Sequence, residues 1–187
     1  RYGSAPATKS EMSPPRSVSV RGEAMTPGLT TSERMPPMPL DSSTIASALG
    51  IARAALEFLK EALAEQGVEI RYGLPRSRMT NLEREVIDME IMLRSAWLLT
   101  IRAVWMADSQ VPITAEASMS KIKAGDAVVR ITQRAVELMG PIGYSRKHLL
   151  EKWFRDAKIN DLYEGTGQIN RLIVARRILG YGRKELN

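Results

Sequence analysis

Two stretches of this sequence repeat apolar residues at alternating spacings of four and three, and that spacing admits few folds. Ile45, Leu49, Ala52, Leu56, Leu59 and Leu63 form the first run, and Leu82, Val86, Met89, Leu93 and Ala96 the second. A third stretch places Ile122, Val129 and Val136 seven apart, with Met119, Ala127 and Leu138 nearby. An α-helix brings positions three and four apart onto one side, so each run is the seam of an amphipathic helix. No segment alternates with the period of two that marks a half-buried strand. Several helices with one apolar seam each, joined by short loops, cover those seams by packing as an antiparallel bundle.

Starts and stops place helices near 43–66, 80–107, 114–139, 146–157 and 166–179. Asp41, Ser42 or Ser43 caps the first and Gly67 ends it. Thr80 with Glu83 three residues on is a capping box for the second. Pro112 breaks the chain and Thr114 caps the third. Gly140-Pro141-Ile142-Gly143 breaks it again, and Ser145 caps the fourth. Gly180 and Gly182 end the last. Gly125, in mid-helix, marks close approach of a neighbouring backbone. The expected core contains Leu49, Leu56, Leu63, Val86, Leu93, Ile122, Val129, Leu172 and Ile173. Trp97 and Trp105 lie off the seam and are expected against another helix or subunit. The fold class is all-α: a four-helix bundle with an extra C-terminal helix over residues 41–187.

Residues 1–40 differ. They hold seven of the ten prolines, and serine, threonine and glycine fill much of the rest. Proline fixes φ and removes a backbone donor, so the segment is expected to be extended and laid along a partner surface. Its five basic and three acidic residues, and a first residue that is not methionine, fit a chain that follows a cleaved mitochondrial targeting sequence or a trimmed product. The whole chain carries a formal charge of +6, but acids and bases alternate along its helices, which reads as solvated faces rather than a nucleic-acid surface. No cysteine is present and His148 is the one histidine, so neither a thiolate nor a multi-histidine metal site can form. No apolar run approaches the roughly 20 residues that span a bilayer.

One acid stands apart. Glu164 lies in a short break, Tyr163-Glu164-Gly165-Thr166, between two helical patterns. Gly165 lets the chain turn sharply, and Thr166 caps the helix that follows, where Ile169, Leu172, Ile173, Ala175 and Leu179 form an apolar stripe. A carboxylate there is either an acid favoured by the helix dipole or a rigidly held base. The stretch RDAKINDLYEGTGQINRLIVAR, from Arg155 to Arg176, resembles the C-terminal signature of the acyl-CoA dehydrogenases, and a weaker resemblance reaches back to about Thr44. It implies a helical bundle used in oligomer assembly, FAD as cofactor and an acyl-CoA as substrate. It makes Glu164 the base that removes the α-proton, places Thr166, Gln168 and Arg71 beside the flavin, and places Tyr163 and Gly165 beside the substrate.

The sequence also departs from that family. An arginine common three residues before an aromatic-glycine pair is Glu69 here, with Arg71 displaced from it. A glutamine further on is Thr80. A Gln-x-x-Gly-Gly-x-Gly pattern reads Glu137 to Gly143, with glutamate for glutamine and Pro141 for glycine. Two unit charges about 4 Å apart at an effective dielectric near 20 repel by about 4 kcal/mol, so Glu69 and Glu137 oppose a diphosphate. Pro141 removes an N–H that could face one. The expectation is a non-catalytic, acyl-CoA dehydrogenase-like accessory subunit of a larger mitochondrial assembly. The alternative is a flavin-dependent acyl-CoA dehydrogenase, fragment or split subunit, that uses Glu164.

Overall fold

The computed structural model describes residues 42–181, and helix is the only regular secondary structure among them. The helices are α1 Ser42–Glu65, α2 Asn81–Asp108, α3 Thr114–Met139, α4 Leu150–Ala157, α5 Ile159–Leu162 and α6 Gly167–Leu179. A single 3₁₀ turn, Arg76–Arg78, interrupts the connection from α1 to α2. The expectation for residues 1–40 lies outside the described residues.

Helix α3 is the hub: it packs against α1, α2, α4 and α6. Its composition explains this position. Ala117, Ser118, Ser120, Ala124, Gly125, Ala127 and Ala135 are all buried, so helices on several sides can approach closely. The core joins Leu49, Leu56, Leu59 and Leu63 of α1 to Val86, Met89 and Ala96 of α2, to Val128 and Ile131 of α3, and to Leu150 of α4. Buried hydroxyls find partners within it: Thr100 Oγ1 lies 2.8 Å from Ser120 Oγ, and Thr132 Oγ1 donates to the Val128 carbonyl at 2.6 Å.

The termini follow from local chemistry. Gly67, at φ 77°, ends α1, with the Val68 N–H on the Leu63 carbonyl and the Gly67 N–H on that of Ala64. The capping box of α2 is complete: Glu83 N donates to Thr80 Oγ1, and Thr80 N donates to Glu83 Oε2 at 2.7 Å. Lys60 of α1 and Tyr72 of the connection both donate to Glu90 of α2, at 2.6 and 2.7 Å, and tie the connection to both helices. Gly143 tucks under the end of α3, where an added Cβ would collide with the Val136 carbonyl oxygen and come within 2.9 Å of Val136 Cα. Gly143→Ala is therefore expected to cost about 1–3 kcal/mol, read as a lower denaturant midpoint with an unchanged slope.

Three expectations need correction. The fourth helix begins at Leu150, not 146, because Ser145 closes a turn on the Lys147 N–H and no side chain caps the helix. Thr114 is the first residue of α3, and its cap position, Ile113, offers no side-chain oxygen. Leu93, Ile122, Val129 and Ile173 are only partly buried, and Leu172 is 57% exposed. Helix α6 packs mainly on α3 and turns Asn170 inward, so its Ile169–Leu172–Leu179 stripe faces outward. Trp97 and Trp105, expected against another helix or a subunit, stand 51% and 64% exposed with no helix among the described residues over them, which is the subunit alternative's requirement.

Candidate active site

The floor of the site is α3. At Gly125 the missing side chain admits α5: a Cβ built there would lie 3.4–3.5 Å from Asp161. Gly167, at the start of α6, faces the same residue, its built Cβ 2.5 Å from Asp161 Oδ1. Two glycines thus bracket Asp161 and draw α5 and α6 onto α3. One turn before Gly125, Lys121 is buried, and its Nζ donates to the Asn160 carbonyl at 2.6 Å.

Above this floor the chain turns through Tyr163, Glu164, Gly165 and Thr166. Tyr163 is extended (φ −75°, ψ 154°), and Glu164 and Gly165 then take φ of 56° and 100° before Thr166 returns to the extended region. Glycine takes such angles freely. For glutamate they cost on the order of 1–3 kcal/mol, and the surrounding contacts must impose them. Those contacts are present on both sides. Thr166 Oγ1 accepts from the Ile169 N–H, capping α6. Asn170, buried, donates from Nδ2 to the Gly165 carbonyl at 2.8 Å and to that of Thr166 at 3.1 Å. Asn160, also buried, donates to the Ala157 carbonyl and accepts from the Tyr163 hydroxyl at 3.1 Å.

The carboxylate of Glu164 is exposed, and Thr44 Oγ1, in the first turn of α1, donates to its Oε2 at 2.9 Å. A base on such a perch has one backbone position and an open approach. The described residues do not shut water out.

Of the residues singled out from sequence, Tyr163, Glu164, Gly165 and Thr166 form this one turn, and Gln168 stands exposed in the first turn of α6. Tyr163 faces inward: its ring lies 4.5 Å from Lys121 Nζ and its hydroxyl is used by Asn160. Arg71 is engaged elsewhere. Its Nε and Nη2 donate to Glu83 Oε1 and Oε2 at 2.6 and 3.1 Å, fastening the α1–α2 connection to α2. Lys121, Asn160, Asn170 and Thr44 were not identified from sequence. Asn160 and Asn170 carried a signal, since asparagine disfavours helix interiors and usually has a hydrogen-bonding reason to be there.

The Arg71 guanidinium foremost, then the Thr80 N–H, holds the Glu83 carboxyl down to about 2, against its burial. The unfolded chain binds that proton at an ordinary carboxyl pKa of about 4.3. This contribution to stability is therefore fully present above about pH 4.3 and lost as pH falls towards 2. Denaturation midpoints between pH 5 and 2.5 are expected to fall less steeply in Glu83→Gln than in the parent.

The flavin-side departures are also placed. Thr80 is the α2 cap, and Glu69 and Pro141 are exposed. Glu137 pairs with Arg134, which also pairs with Glu85, and accepts from Gln133 at 2.9 Å. The charge at Glu137 is thus met within the chain, while Glu69 still opposes an anion. A cleft of about 360 Å³ opens between α2 and α3 beside Glu137, and no residue of the Glu164 turn lines it. The residues present do not fit a flavin held by this chain alone. Arg71 and Arg134 are committed to carboxylates, and Thr166 and Gln168 supply only one polar edge. Among the described residues no cluster of three or more His, Asp or Glu could hold a metal, and no helix is long and apolar enough to cross a membrane.

A helical bundle that carries one backbone-locked glutamate between two short helices is a recurrent kind of domain. The sequence pattern of the family described as acyl-CoA dehydrogenase, C-terminal domain, matches residues 42–179, and the chain belongs to that family. Among its relatives, the mitochondrial short-chain specific acyl-CoA dehydrogenase of Mus musculus is 34% identical over 154 residues, 82% of this chain and 37% of that protein. The short-chain specific acyl-CoA dehydrogenase of Clostridium acetobutylicum is 32% identical over 133 residues, 71% of this chain and 34% of that protein. The structure of butyryl-CoA dehydrogenase from Megasphaera elsdenii superposes with a TM-score of 0.64 at 30% identity, over 74% of this chain and 35% of that one. The chain spans a little over a third of the length of the curated relatives it matches.

Proposed function

We propose that this chain supplies the base of an acyl-CoA dehydrogenase. The Glu164 carboxylate takes the proton from the carbon α to the thioester carbonyl, and the electron pair of that C–H bond stays on the substrate as the enolate. The observation that carries this reading is the backbone of Glu164. A turn kept for packing alone would favour glycine or asparagine at φ 56°, yet an exposed glutamate occupies it at a cost in strain. Buried Asn160, Asn170 and Lys121 behind the turn support the same reading, since a base needs a fixed position more than it needs bulk. The family is FAD-dependent, and that group accepts a hydride when bound; the described residues do not hold it by themselves.

The experiment is to incubate the native assembly with a short-chain acyl-CoA in D₂O and follow deuterium at the α-carbon by mass spectrometry. Incorporation well above the buffer rate is expected. Incorporation at the buffer rate in a folded, complete assembly overturns the reading.

A second reading is favoured by a different observation. Arg71 and Arg134 are consumed by Glu83, Glu85 and Glu137, and Glu69 and Pro141 stand where a diphosphate would be disfavoured. On that reading the chain is an accessory subunit. Its exposed α2 residues Trp97, Leu98, Ile101 and Trp105 are available to a neighbouring chain. The visible spectrum of the purified assembly separates the two, since bound flavin absorbs there. The mitochondrial relatives support a mitochondrial location for either reading, and fractionation of the source cells tests it.

A further inference from the structure

We infer that Lys121, buried on α3, is a positioning residue for Glu164: it holds the Asn160 carbonyl and the Tyr163 ring, and so fixes the turn that presents the carboxylate. The inference rests on the reading of Glu164 as the base. Helix α5 has four residues, too few to hold its own ends. Gly125 brings α3 against it at Asp161, and Lys121, one turn earlier, reaches the Asn160 carbonyl. A cation suits the carbonyl end of a helix, and a desolvated ammonium–carbonyl bond is a strong, charge-assisted one.

The same ammonium stands 4.5 Å from the Tyr163 ring centroid, within cation–π range. Tyr163 closes the arrangement, its hydroxyl donating to Asn160 Oδ1 at 3.1 Å. Lys121, Asn160 and Tyr163 are thus joined pairwise, and the residue after Tyr163 is the one with the imposed positive φ. Removing the ammonium leaves the Asn160 carbonyl without this donor and the ring without its cation. The turn is then free to relax from the conformation that Glu164 adopts at a cost.

The test compares Lys121→Met and Lys121→Arg in the native assembly. In Lys121→Met, amide hydrogen exchange over residues 158–168 is expected to rise about tenfold with α1 and α2 unchanged, because opening there becomes local. The rate of α-deuterium incorporation is expected to fall about a hundredfold with KM within about threefold, the signature of a displaced base. Lys121→Arg keeps the donor and is expected to recover most of that rate. The inference is overturned if Lys121→Met keeps the parent rate, if its 158–168 exchange matches the parent, or if Lys121→Arg is no better than Lys121→Met. Should Lys121→Met fail to fold, Tyr163→Leu removes only the ring and hydroxyl contacts. It is expected to lower the rate about tenfold, and an unchanged rate overturns the inference. If instead Glu164→Gln retains the parent rate, the reading of Glu164 has failed, and hydrogen exchange over 158–168 alone decides whether Lys121 fixes the turn.

Discussion

Replacing Glu164 with glycine is expected to lower α-deuterium incorporation by about 10²–10⁴-fold, the usual contribution of a positioned general base, while the protein melts no lower than the parent. The two effects have separate causes. The carboxylate is the proton acceptor, and glycine has none. The backbone at φ 56° is strained for glutamate and unstrained for glycine, so the change relieves about 1 kcal/mol or more. Against that stand the lost Thr44 hydrogen bond and the larger freedom of glycine in the unfolded chain, each on the order of 0.5–1 kcal/mol. The sum lies near zero. Glu164→Gln is the companion: it keeps the strain and the shape, and is expected to lose the same activity. A residue retained for packing behaves otherwise, so a clear drop in melting temperature for Glu164→Gly with α-deuterium incorporation intact sinks the catalytic reading.

The largest loss of stability is expected in α1. Leu56 is 3% exposed and sits in the cluster where α1, α2 and α3 meet, so Leu56→Ala should cost about 2–5 kcal/mol. Leu172→Ala should change stability by no more than about 0.5 kcal/mol, because that side chain already faces outward in the described residues. Urea denaturation of both variants in parallel checks the pair. Equal losses would mean that α6 is covered by a neighbouring chain, a result that bears directly on assembly.

These two leucines show where sequence reasoning succeeded and where it stopped. Both occupy an apolar stripe at helical spacing, and both were expected in the core. Spacing reports that a side of a helix is apolar. It does not report what lies opposite. For α1 the opposite surfaces are α2 and α3 of the same chain, so Leu49, Leu56 and Leu63 are buried. For α6 the packing partner is mainly α3, and the helix turns buried Asn170 rather than its apolar stripe towards the bundle. The start of α4 failed for a related reason: Ser145 satisfies a turn amide at Lys147 rather than a helix amide, in a turn whose Gly143 packs beneath Val136.

The site divides along the same line. Sequence by itself determined the all-helical class, the α2 capping box, the glycine end of α1, the close approach at Gly125, and the family to which the Glu164 turn belongs. All of these are written in residue types a few positions apart, where local geometry leaves little choice. Tertiary structure alone decided that Arg71 is spent on Glu83, that Arg134 of α3 reaches Glu85 of α2, that Thr44 meets Glu164 across 120 residues, and that Lys121 lies beneath the turn. Each joins groups far apart in the chain, and their pairing depends on how helices rotate and how closely they approach. That is set by the summed packing of the bundle and not by any short stretch of residues.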